Sequence, residues 1–243
     1  MNCLLLGNGN WGKKLEKNLN KIAVIKRKID STTDYKKIKL DNIDWVFIST
    51  PNNLHYQHTK YFLKNKINVF CEKPLTLKYE EAKELVQLSN KNLLYLYIDD
   101  IESYKKKPLH ILKKENFIIR SKSKYYSFYE VLNSLFYHDF YLLKKNISLK
   151  FLKISILKDS KFEKKFLIFS NNKKFFFEYK YKEIKEHYIN SVNYISKKNY
   201  IEPMLKCVLN KKFDPKENHE KALFCCLLIE MILKEYNKKI KVM

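Results

Sequence analysis

Three glycines stand at positions 7, 9 and 12, in the stretch GNGNWG, and they are the only glycines among 243 residues. At an average usage of about 7%, a chain of this length would hold roughly 17. The spacing G-x-G-x-x-G suits a diphosphate. Its first glycine permits a tight turn, its second lets the backbone approach the phosphates, and its third allows a helix to pack closely. The N–H groups that open the helix supply the anion contacts. Gly7, Gly9 and Gly12, with Asn10 and Trp11 between them, form the candidate phosphate loop. Lys73, between Glu72 and Pro74, is the candidate for proton chemistry. A lysine at the carboxyl end of a parallel strand lies where ligands of such sheets bind. Partly desolvated beside other cations, it would have a lowered pKa and could take a hydroxyl proton.

Both candidates need elements that hold them. NCLLL at 2–6 reads as a strand buried on both faces, and KKLEKNL then puts Leu15 and Leu19 on one helix face. IAVI at 22–25 is a second strand, and DWVFIST at 44–50, ended by Pro51, is a third. A helix over 54–66, a strand near 69–71 and a further strand in LLYLYI at 93–98 follow. Between the last two, YEEAKELVQLS sets Ala82, Leu85, Val86 and Ser89 on one face, with Glu80 and Glu81 at the positive end of the helix. Strands alternating with helices predict a parallel, doubly wound sheet. After about residue 110 come longer strand-like runs, KFLKISIL, KKFLIFS and KKFFFEYKY, with a hairpin turn at Asn171 and Asn172. Two helices close the chain. One carries a stripe of Ile201, Met204, Leu205 and Val208, and the other, around 217–236, is apolar almost all round its middle.

The formal net charge of +23 raises nucleic acid, an anionic membrane or an acidic substrate as partners. Lysines are scattered along the whole chain beside abundant Asn, Ile, Tyr and Phe, the pattern of A/T-rich codons rather than of a dedicated polyanion surface. No nucleic-acid-binding motif accompanies the charge, so nucleic acid is not an expected partner. The five cysteines form no CxxC pair and read as reduced, buried thiols of a cytoplasmic protein. A strand-like run starting at Asn2 leaves no room for a signal peptide, and ALFCCLLIEMIL at 222–233 is too short to span a membrane. His55, His58, His110, His187 and His219 show no metal-ligand spacing, so no metal is expected. Asp99, Asp100 and Glu102 read as loop-capping acids in preference to a glycosidase-like pair.

Four blocks together resemble the Gfo/Idh/MocA family of NAD(P)-dependent oxidoreductases: GNGNWG at 7–12, DWVFISTPNNLH at 44–55, FCEKPLTLKYEEAKELV at 70–86 and SLFYHDFYLL at 134–143. The tail from Glu202 to Ile232 is similar to the family's closing helices. The resemblance implies an α/β protein. Residues 1–105 would be an NAD(P)-binding Rossmann domain with a doubly wound parallel sheet. Residues 106–243 would be an α+β domain with a mostly antiparallel sheet, for substrate binding and oligomerisation. It implies oxidation or reduction of a hydroxyl or keto group of a sugar, nucleotide sugar or cyclitol, with Lys73 as acid/base and His138 as the second proton-handling residue. Glu72 is expected at the nicotinamide ribose or orienting Lys73. Thr50 and Pro51 would bring backbone close to the cofactor, with Asn53, Leu54 and His55 beyond.

Three departures from the family pattern qualify that expectation. Lys26 and Arg27 occupy the place where an NAD-preferring fold carries an acidic residue, which favours NADP over NAD. Ser134 stands where the family often has an aspartate, four residues before the histidine, leaving a catalytically impaired cofactor-binding regulator or sensor as the alternative. The interval from Lys73 to His138 and the sheet domain are both shorter than in typical members, which should trim the substrate pocket or the oligomer interface. The aromatic-rich segment 151–181 has more apolar side chains than one covered face needs, so a homo-oligomer through that sheet is expected.

Overall fold

The computed structural model describes residues 1–30, 33–105, 113–196 and 198–242. The chain divides into two compact units, Met1–Tyr104 with Asn199–Cys226, and Lys105–Lys198 with Leu227–Met243.

In the first unit the alternation of short apolar runs with amphipathic stretches yields β1 (Asn2–Leu6), α1 (Asn10–Leu19), β2 (Val24–Ile29), β3 (Trp45–Ile48), α2 (His55–Lys64), β4 (Asn68–Cys71), α3 (Tyr79–Lys91) and β5 (Leu96–Ile98). The strands form one parallel sheet in the order β2-β1-β3-β4-β5. Strands β1, β3 and β4 are interior and almost wholly apolar, as a sheet covered on both faces requires. The expected face of α3 is buried at Ala82, Leu85, Val86 and Ser89.

The second unit holds β6 (Glu115–Lys122), α4 (Phe128–Val131), a π-helical turn (Leu132–Phe136), α5 (Tyr137–Leu143), β7 (Lys153–Asp159), β8 (Glu163–Ser170), β9 (Lys173–Tyr181), β10 (Glu186–Ile189) and β11 (Val192–Asn193). Its sheet runs β11-β10-β6-β9-β8-β7, antiparallel throughout except where β6 pairs with β9. Asn171 and Asn172, with φ of 51° and 58°, make the β8–β9 hairpin turn. Alternation sends Phe166, Phe175, Phe177 and Tyr179 to a buried face, where Phe166 and Phe177 stack at 4.6 Å and Phe136 meets Phe177 edge-on at 5.2 Å.

The chain then enters α6 (Ile201–Leu209) and α7 (Pro215–Val242). Asp214 caps α7 ahead of Pro215, its carboxylate accepting from the Lys216 and Glu217 amides. The expected stripe Ile201, Met204, Leu205 and Val208 buries against Leu15 and Leu19 of α1 and against Cys3, Leu5, Trp45 and Phe47 of the parallel sheet. Residues 199–226, assigned from sequence to the C-terminal domain, therefore lie with the first unit. Their apolar stripe covers a sheet face that would otherwise meet water. Among the described residues no helix is long and apolar enough to cross a membrane.

Candidate active site

The carboxyl ends of all five parallel strands share one edge of the first unit, and most of the residues singled out above follow those ends directly. After β1, Gly7 takes φ +114°, and its amide donates to the Ile29 carbonyl at 2.8 Å. A Cβ on Gly7 would lie 2.6 Å from the Ser49 carbonyl oxygen, and one on Gly12 would lie 2.2 Å from the Gly7 oxygen. Both positions are closed to any side chain. Gly9 differs. It caps α1 with no side-chain cap, and a Cβ there would meet nothing within 4 Å. The turn is thus tight on its protein side and open at Gly9, where a diphosphate can approach the bare amides of α1. Asn10 is exposed, whereas Trp11 is half-buried with its indole packed against the core.

Strand β2 corrects the reading of Lys26. It runs on to Ile29, and Lys26 falls where the β1–β2 register slips, between the pairs Cys3–Ile25 and Leu4–Arg27. Lys26 and Arg27 are exposed along the strand, and the residue that follows the strand end is Asp30. Its carboxylate accepts from the Thr33 amide and hydroxyl, each at 3.2 Å. Asp30 lines a cleft of about 290 Å³ with Leu6, Thr33, Tyr35, Leu54 and His58. An acidic residue at this place is what holds ribose hydroxyls. The sequence signal existed, since KRKID could continue the strand, but the charged residues masked it.

Beyond β3, the Thr50 hydroxyl bonds with Nδ1 of His58 at 3.0 Å, and burial pushes the His58 pKa down to about 4, so that ring is neutral. Pro51 and Asn53 are exposed on the turn into α2, and Leu54 reaches the cleft. His55 does not. Its ring is fully buried, with Nδ1 2.7 Å from the Pro74 carbonyl oxygen and Nε2 2.8 Å from that of Thr50. Burial lowers its pKa against the pull of these two acceptors. The expected cofactor contact is therefore replaced by a strut joining the β3 turn to the loop after β4.

That loop carries Glu72 and Lys73. Lys73 is half-buried, and its charge acts on the buried carboxyls of Glu72 and Asp99 and on the His55 ring. Asp99, directly after β5, is 1% exposed. Burial lifts its pKa to about 6 against the opposing pull of Glu72 and Lys73, and burial with the charge of Asp99 lifts Glu72 well above the usual range. Asp100 rises to about 7 through burial, opposed by Lys221 and Ser103. Asp99 and Asp100 do cap the following turn, accepting from the Ile101 and Ser103 amides, but they do so from inside the unit.

His138 lies half-buried on α5 of the second unit, and Ser134 on the π-helical turn before it. Asp139 does not serve His138. It is fully buried and held by Arg120, Nε to Oδ2 at 2.7 Å and a terminal nitrogen to Oδ1 at 3.1 Å, and by Nε2 of His187 at 2.7 Å. Among the described residues no three His, Cys, Asp or Glu are grouped to hold a metal, and His110 lies outside those residues.

Residues 2–99 match the Gfo/Idh/MocA model, described as an oxidoreductase family with an NAD-binding Rossmann fold. Over 57 residues the chain is 42% identical to the uncharacterized oxidoreductase YgjR of Escherichia coli K12, a stretch covering 24% of this chain but only 17% of that protein. In fold the likeness is end to end. UDP-N-acetylglucosamine 3-dehydrogenase GnnA from Acidithiobacillus ferrooxidans superposes with a TM-score of 0.80 over 97% of each chain, at 13% identity. GenD2 from gentamicin A biosynthesis, solved in complex with NAD, gives 0.75 over 97% of this chain and 93% of that one, at 12% identity.

Proposed function

We propose, from the match of residues 2–99 to the Gfo/Idh/MocA oxidoreductase model, that the chain is an NAD-dependent dehydrogenase or reductase acting on a hydroxyl or keto group of a sugar, nucleotide sugar or cyclitol. The observation that carries this reading is the shared strand edge, where an open glycine turn, Asp30 and Lys73 follow β1, β2 and β4. A bound nicotinamide dinucleotide would supply the two-electron hydride acceptor or donor. The α1 amides and Gly9 would hold its diphosphate, and Asp30 its adenosine ribose. An anion at Asp30 repels a 2′-phosphate, so NAD replaces NADP as the favoured cofactor.

Lys73 acts as the acid/base that takes the hydroxyl proton in oxidation or returns it in reduction, with His138 as the second proton-handling residue. Glu72 orients Lys73. The substrate class follows the family and its solved neighbours, among them the UDP-N-acetylglucosamine 3-dehydrogenase. The alternative, a binding protein that has lost turnover, draws on Ser134 in the place of the family's aspartate. Phe117 and Phe176, stacked at 5.0 Å on the outer face of the second sheet with Phe117 47% exposed, support a homo-oligomer through that face. Light scattering should then give more than the 29.5 kDa of one subunit.

Calorimetric titration with NAD(H) and NADP(H) tests the reading. The expected result is NAD(H) binding at least tenfold tighter, a difference of about 1.4 kcal/mol. Gly9→Ala should abolish it with thermal unfolding unchanged, because the new methyl meets only the ligand. A folded wild type that binds neither cofactor would overturn the proposal. A panel of nucleotide sugars, followed by the absorbance of reduced nicotinamide, then separates enzyme from binding protein.

A further inference from the structure

Cys71 on β4 and Ile98 on β5 are paired neighbours, so the next residues along each strand, Glu72 and Asp99, emerge side by side. The backbone fixes both. The Glu72 amide donates to the Ile48 carbonyl at 2.9 Å, and the Asp99 amide donates to the Cys71 carbonyl at 2.9 Å. Both carboxyls are buried, at 8% and 1% exposure, and two ionised carboxylates side by side away from water repel strongly, so one of them carries a proton. Asp99 Oδ1 also accepts from the Ile101 amide at 3.1 Å, a contact that favours the anion there. Glu72 Oε1 has no hydrogen-bond partner among the described residues, as fits the acid that donates through its other oxygen. The groups facing the pair are Lys73 from its own loop, Asp100 and Glu102 from the turn after β5, and the thiol of Cys71. Lys221 of α7 is turned to Asp100 at 3.4 Å and His55 acts on Lys73, which leaves Lys73 as the cation that answers the pair.

We propose that Glu72 and Asp99 form a proton-sharing acid–carboxylate pair whose single negative charge positions Lys73 and sets the pH at which it changes charge. The proposal rests on the reading of Lys73 as the acid/base. In oxidation the neutral Lys73 amine would take the substrate hydroxyl proton as the carbonyl forms, and a bound nicotinamide dinucleotide would supply the hydride acceptor. The ammonium so created is stabilised by the anion on Asp99. In reduction the same ammonium returns the proton to the nascent alkoxide. Glu72 and Asp99 are positioning residues, acting through Lys73.

The test uses the full chain without cofactor, so it is independent of whether NAD binds. Infrared spectra of Asp100→Asn at pH 7, where the Asp100 carboxyl no longer contributes, should show a protonated-carboxyl C=O band that is lost when Glu72→Gln is added. Competitive acetylation across pH, with mass spectrometry of the Lys73 peptide, should show its titration midpoint moving down by about one pH unit, a tenfold change in charged fraction, in the double variant Glu72→Gln with Asp99→Asn, which removes the pair's charge altogether. A spectrum with no such band, or a Lys73 midpoint unmoved in the double variant, would overturn the proposal. Were Glu72→Gln and Asp99→Asn to misfold, the pH dependence of the band in Asp100→Asn would decide it. Failure of the NAD titration with the band and the midpoint shift intact would remove the enzyme reading and leave the pair standing.

Discussion

Asp139 and Asp99 are both carboxylates removed from water, at 0% and 1% exposure, and the two units treat them oppositely. Around Asp139, burial pushes the pKa up, but the Arg120 and His187 charges and their hydrogen bonds outweigh it and hold the carboxyl below its usual value. Around Asp99, burial prevails and the pKa rises to about 6, with Glu72 also raised beside it and Asp100 at about 7. The first arrangement is closed: both oxygens of Asp139 are taken by buried donors. The second is under-neutralised and sits at the carboxyl edge of a parallel sheet. A buried charge fully answered by partners is scaffold, whereas one kept short of partners keeps a proton available near neutral pH. Strength of burial is the same in both. The count and geometry of the donors makes the difference.

The contrast is broken most forcefully at Arg120. Arg120→Met leaves Asp139 buried without its bidentate partner and should cost about 3–5 kcal/mol, read from urea unfolding followed by circular dichroism. A loss under about 1 kcal/mol would show that Asp139 is solvated after all and that the two regions are not opposites.

Asp99→Asn should have the opposite sign. The Asp99 pKa is about 6 in the folded chain against 3.8 as the ordinary value, so folding binds the proton more tightly. Its favourable contribution is complete below the unfolded value and is lost as pH rises through about 6. At pH 8 the wild type therefore holds an unfavourable anion that the amide removes. The variant should gain about 1–3 kcal/mol at pH 8 and nothing near pH 4, since one pH unit of displacement corresponds to about 1.4 kcal/mol. Asp139→Asn, whose parent carboxyl is held low, should lose stability at both. Equal signs for the two substitutions would erase the distinction.

How much of this was legible in the residues divides along similar lines. The glycine turn, the β3 turn at Thr50 and Pro51 and the loop of Glu72 and Lys73 are local: strand, breaker and the next side chain follow one another in the chain. The parallel sheet follows from continuous apolar runs such as WVFI and NVFC. The end of β2 was not legible, because β2 is an edge strand. Exposed along much of its length, it carries KRK without loss while its backbone keeps pairing to Ile29. Nor was the ion cluster of the second unit, since Arg120, Asp139 and His187 are brought together only by β6, α5 and β10. His55 was found as a residue but not in its role. The sequence places it near the strand edge, and only the fold shows that both ring nitrogens meet carbonyl oxygens.

The smallest effect sharpens the comparison most, because it grades neutralisation within the first unit. Lys221 approaches Asp100 at 3.4 Å with 16% of its side chain exposed, a looser partner than Arg120 is to Asp139. It pulls the Asp100 pKa down from where burial alone would set it, yet the value still stands at about 7. Lys221→Met should raise it further. Below pH 7 Asp100 is then protonated with or without the lysine, and thermal unfolding should not change. Above pH 7 the wild type keeps an ion pair that the variant lacks, and a deficit of about 1 kcal/mol should open as pH rises to 9. A deficit already present at pH 5 would mean that Lys221 acts through packing or through Glu217, which it also meets at 3.2 Å, and not by answering the buried carboxyl.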